Sequence, residues 1–199
     1  MPDTITIPTA PPFSEQLEKD AKKLEDDYDE AIKRVNDLKN QFENRESEMP
    51  EVEVKNLEAS LISKQNEVKT MEDKAKELKT KVSSDLEKSK QFKQSLKELK
   101  TSLENLKCKP DDYQVILSKI DATIDELDEN IERLTKLVDK LTMVVKKITK
   151  LLKHIGDFLK AVLDLLKAIY DNTIGVVFSF IKNTILNIFK DDIPAPQKP

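Results

Sequence analysis

With two glycines in 199 residues, this chain lacks the turn residues that a mixed or all-β fold of its length needs. Charged residues make up 36% and aromatics 5%, a balance that suits long, solvent-washed helices better than a thick globular core. The net charge of -4 specifies no partner, and the chain has no run of about 20 apolar residues that would make an ordinary transmembrane helix.

Residues 1–13 carry four prolines and no helical periodicity, so an extended tail is expected. They also lack the basic and apolar regions of a conventional signal peptide. The expected location is therefore that of a soluble protein, cytoplasmic or released by another route, with membrane association left open. The first helix is expected over about 14–47. It places Leu17, Leu24, Ala31 and Leu38 on one seven-residue series and Ala21, Tyr28, Val35 and Phe42 on a second.

Pro50 ends that pattern, and acids follow it, as suits a new helix start. The second helix, about 52–107, carries Val54, Leu61, Val68, Ala75, Val82, Ser89, Leu96 and Leu103. Its partner series contains Leu57, Met71, Leu78, Phe92 and Leu99, broken by Lys64 and Asp85. Pro110 marks the next break, in Cys108-Lys109-Pro110-Asp111-Asp112. The third helix, about 112–170, runs from Tyr113 through Ile120, Leu127, Leu134, Leu141, Ile148, Ile155 and Val162 to Ile169, a strong coiled-coil signal. Its partner series includes Leu117, Ile124, Ile131, Val138, Val145 and Leu152. A slip at Asp171-Asn172-Thr173 leads to a short fourth helix, about 173–190, and residues 191–199 form a second proline-rich tail.

Short breaks make successive helices antiparallel. Around Pro110, residue i of the second helix should face roughly residue 220 minus i of the third. The third helix also has a third apolar stripe, Leu137, Val144, Leu151, Phe158 and Leu165, which a helix needs when it packs on more than one partner. The expected fold is all-α: long antiparallel coiled-coil helices in a three- to four-helix body, with a two-helix arm over 86–134. The facing rule puts Lys64 within about a turn of Asp157 and Asp85 near Lys136; both side chains should snorkel to water, the alternative being register-fixing pairs.

Catalytic chemistry finds no residues to work with. One histidine, His154, and one cysteine, Cys108, cannot assemble a zinc site of the usual kind. His154 sits beside a core stripe, which makes it a structural or solvent-facing residue rather than a base. Two isolated glycines make no phosphate loop, and the basic run of the third helix has no nucleic-acid reader motif. The expectation is a protein that is not an enzyme, with no cofactor, metal, nucleic acid or small-molecule substrate.

Charge is unevenly spread: residues 14–58 carry 15 acids and 8 bases, whereas 132–190 carry 11 bases and 5 acids. The basic side chains Lys146, Lys147, Lys150, Lys153, Lys160 and Lys167 share the third helix with Phe158. They precede an apolar helix with Ile174, Val177, Phe178, Phe180, Ile181, Ile185 and Phe189. A basic amphipathic helix joined to a wide apolar face suits an anionic membrane surface. The same apolar face would equally serve to cover the bundle as a fourth helix, or to bury in an oligomer.

A bundle of long helices over about 14–189 with an apolar segment tucked at one end resembles the α-helical pore-forming toxins of the cytolysin A type. That resemblance implies a soluble form that inserts an apolar element and oligomerises into a helical pore, alone or as one component of it. The first expectation is thus a membrane-active helical bundle, a pore-forming toxin or a pore-assisting component. The alternative is a structural or adaptor coiled coil that oligomerises or holds a partner protein at Tyr113, Val115 and Ile116.

Overall fold

The computed structural model describes residues 6–43, 45 and 49–190. These fold into four helices and no strand: α1 (Glu15–Glu43), α2 (Glu51–Glu104), α3 (Tyr113–Tyr170) and α4 (Ile174–Ile188). The protein is all-α. Residues 1–5 of the expected N-terminal tail, the expected tail over 191–199, residues 44, 46 and 47 of the expected first helix, and residue 48 lie outside the described residues.

The heptads dictate which side chains go inside. Every seventh residue of α2 from Val54 to Leu103 is buried, Ser89 included. On α3 the corresponding series is buried from Ile120 to Val162. Leucine and β-branched residues at this spacing form a continuous seam, because 3.5 residues per turn returns each to the same side of the helix. Their partner series on α3, from Leu117 to Leu159, is only half-buried and forms the seam's flank.

The chain divides into two compact units, one built from residues 1–20 and 77–141, the other from 21–76 and 142–199. In the first, α2 and α3 run antiparallel. Lys100 reaches Asp121 at 2.7 Å and Lys93 pairs with Asp128, so paired residue numbers sum to 221. Leu96, Leu103, Ile116, Ile120 and Leu127 make the core there. The sequence leads one to expect a bare two-helix arm over 86–134, but Ile7 and Ala10 pack against this core. The segment of residues 6–14 is thus not a free tail. A two-stranded seam leaves apolar flanks half-exposed, and an extended proline-rich segment can cover them without needing helical partners. Phe13 completes the cover: the Arg133 guanidinium lies 3.8 Å from its ring centroid. Arg133 also donates to Glu18 from Nε at 3.2 Å and from a terminal nitrogen at 3.0 Å. The Glu18 hydrogen bond raises the Arg133 pKa further.

In the second unit the same register holds, with the Thr149 hydroxyl donating to Glu72 at 2.9 Å. Here α3 needs its third stripe: Val144, Leu151, Phe158 and Leu165 are all buried. On α1, Tyr28, Ile32, Val35 and Phe42 are buried in turn. Phe42 and Phe158 meet edge to face at 6.0 Å. Burial pushes the Tyr28 hydroxyl up to about 12. Of the two readings for the polar residues that interrupt the α2 seam, register-fixing pairs find no support among the described residues: no salt bridge joins Lys64 to Asp157 or Asp85 to Lys136. Lys64 instead pairs with Glu67 on its own helix, at 3.1 Å, because its four-carbon stem lets the amine reach the solvent edge. In the first unit Asp85 lines a small cavity with Ser89 and Asn130, while Lys136 pairs with Glu132 at 3.0 Å.

Candidate functional site

The second unit carries the basic and apolar residues singled out above. Helix α3 ends where Asn172 takes a φ of 56°, and the Thr173 amide turns back to the Ala168 carbonyl at 2.9 Å. Asparagine tolerates this left-handed geometry better than most residues, so the slip in the heptads becomes a helix cap. The reversal sends α4 back over the bundle rather than onward.

Helix α4 buries Phe178, Ile181 and Ile185. Phe189, just past its end, meets Phe158 at 5.7 Å and His154 at 5.7 Å. The one charged residue of α4, Lys182, donates from its amine to the Arg45 carbonyl. Of the residues expected to enter lipid, Phe158, Phe178, Ile181, Ile185 and Phe189 are therefore bundle core in this state. Four helices around one centre bury more apolar area than three, and that area drives the docking. Ile174 and Val177 are half-buried, and Phe180 is 74% exposed.

The outward face of α4 consists of Gly175, Val176, Ser179, Phe180, Asn183, Thr184 and Asn187. It carries no charge, in a chain where 36% of residues are charged. Val176, 85% exposed, stands one turn from Phe180 and was not among the residues expected to matter. Its position four before Phe180 is the signal that could have found it.

Lys146, Lys150, Lys153, Lys160 and Lys167 are exposed on α3, and Lys147 is half-buried. At 3.6 residues per turn the five exposed lysines fall within an arc of roughly 100°, with Asp157 and Asp164 between them. Among the described residues none of these five makes a salt bridge. Their charge is turned outward.

The residues expected to hold a partner protein lie in the first unit and are split by burial. Ile116 is core, one turn from Ile120, and cannot be offered to a partner. Tyr113 is half-buried beneath the Lys109 amine at 4.7 Å, and Val115 is 55% exposed. Cys108 is exposed nearby in sequence. Among the described residues no cluster of acids, histidines or cysteines could hold a metal, and no helix is long and apolar enough to cross a membrane. Compared with known proteins, the chain matches no family model, no curated protein and no solved structure.

Proposed function

We propose that this protein is a membrane-active helical bundle that docks on anionic lipid through its second unit. The observation that carries this reading is the outward face of α4, where Val176 and Phe180 project from a helix with one charged residue in 15. A surface with exposed apolar side chains and no charge gains free energy by entering a lipid interface. The unpaired lysines of α3 supply attraction to anionic headgroups, worth about 1 kcal/mol per basic residue near the surface. The 15 residues of α4 span about 22 Å, short of the roughly 30 Å hydrocarbon core, so it acts as an interfacial helix. Once released, its buried face of Phe178, Ile181 and Ile185 would add to the inserted area. In that role the protein fits a pore-forming or pore-assisting component.

The test is co-flotation with phosphatidylserine-containing vesicles, with release of a trapped dye read in parallel. Val176→Ser with Phe180→Ser should cut bound protein roughly tenfold, and Lys153→Glu with Lys160→Glu should do the same at low salt. Flotation without leakage would assign a peripheral scaffold rather than a perforating role. No flotation of the parent protein at low salt sinks the reading and favours an adaptor, with Val115, Ser118 and Lys119 on the exposed side of α3 as its contact surface.

A further inference from the structure

Among the described residues, Nε2 of His154 is the one buried side-chain nitrogen or oxygen without a hydrogen-bond partner. Its ring lies against Phe189, which closes the end of α4, and Phe189 in turn lies against Phe158. A neutral imidazole can leave one nitrogen bare, but an imidazolium donates from both nitrogens. A buried charged N–H with no acceptor is costly.

The charged groups around this ring do not offer relief. On α3, Lys150 and Lys153 are near neighbours in the helix, and Asp157, three residues on, is exposed. The pairing of Phe42 with Phe158 brings Lys39 of α1 level with His154. Across on α2 the register places Glu67, whose carboxylate is already held by Lys64 at 3.1 Å and faces Arg34 at 3.9 Å. From the α4 side come Lys182, held on the Arg45 carbonyl, and exposed Lys190. None of these groups is recorded as a hydrogen-bond partner of Nε2.

We infer that His154 is an acid-sensitive latch: protonating its imidazole loosens Phe189 and lets α4 turn out about Asn172. Neutral, the ring packs as an aromatic surface under Phe189; charged, it needs an acceptor or water at Nε2 that the closed packing does not supply. Acidification then weakens the docking of α4 without touching the α2–α3 seam. The latch itself stands on this geometry, while its consequence, a freed apolar helix meeting lipid, rests on the membrane reading above.

The chain has no tryptophan, so Phe178→Trp in the full chain gives a single reporter on the buried face of α4. Without lipid, its emission should move toward that of a solvated indole when the pH is lowered from about 8 to about 5. Adding His154→Leu should abolish that shift. Adding His154→Gln, which stays polar and uncharged, should also abolish it and covers the case in which the leucine variant misfolds. An equal shift in a folded His154 variant, or no shift in the parent, overturns the latch. In a second arm with phosphatidylserine vesicles, flotation should rise severalfold at the lower pH only when His154 is present. A shift in emission with no flotation at either pH would leave the latch standing and remove the membrane reading. Flotation that ignores pH, with unchanged emission, would do the reverse.

Discussion

The two units use the same pair of helices, yet they are closed in different ways. The decisive positions lie on one seven-residue series of α3. In the first unit that series reads Ile116, Thr123, Asn130 and Leu137, polar at its middle; in the second it reads Val144, Leu151, Phe158 and Leu165 without a break. A stripe interrupted by Thr123 and Asn130 gives a third helix less to pack on, and the core of the first unit takes a proline-rich segment instead. An apolar stripe demands broad cover, and the second unit receives α1 and then α4. The comparison teaches that in long coiled coils the number of partners follows the number of apolar stripes, residue by residue along one helix.

Core truncation breaks the comparison most sharply. Phe158 is fully buried between Phe42 and Phe189. Phe158→Ala should cost about 3–5 kcal/mol in denaturant unfolding followed by circular dichroism. Ile120→Ala in the first unit should cost nearer 2 kcal/mol, because a non-helical segment can settle into the space. Equal costs would mean that the two units are packed alike.

A smaller effect comes from alkaline pH and belongs to the second unit. The Tyr28 hydroxyl is pushed up to about 12 by burial, above its ordinary value of 10. A raised folded value means that the unfolded chain loses its proton first. Tyr28 therefore adds stability that is fully present below pH 10 and is lost as pH rises toward 12. After discounting for solvent screening the loss should be about 1–2 kcal/mol, and Tyr28→Phe should remove this part of the pH dependence. An unchanged alkaline slope in that variant would show that other groups carry it.

The smallest effect tests the cover of the first unit. Phe13→Ala removes the ring beneath Arg133, and amide exchange at Ile7, Thr9 and Ala10 should speed up roughly fivefold while α2 and α3 stay protected. Faster exchange throughout α2 and α3 would instead make the segment a structural part of the seam.

Much of this was legible in the residues. The seam positions, the proline breaks and the antiparallel register all follow from periods and spacings, and the observed sum of 221 lies one residue from the expected facing rule. The third stripe foretold where α3 is enclosed. What the heptads could not tell was the fate of unpatterned chain: Ile7 and Ala10 belong to no repeat, so nothing local marks them as core. Ile116 shares its seven-residue series with Thr123 and Asn130, so those polar neighbours masked it as core, while the adjacent Val115 is exposed.

By itself, then, the sequence determined an all-α coiled coil, its helix limits to within a few residues, and a final helix almost free of charge. These are consequences of local periodicity, proline geometry and composition, which act over a few turns. Only the tertiary structure decided which face of that final helix is hidden. Ile181 and Ile185 turn inward, Val176 and Phe180 turn outward, and Phe189 closes over His154, because the reversal at Asn172 sets the direction from which α4 meets α3. An apolar helix of 15 residues has no inside until a neighbour supplies one.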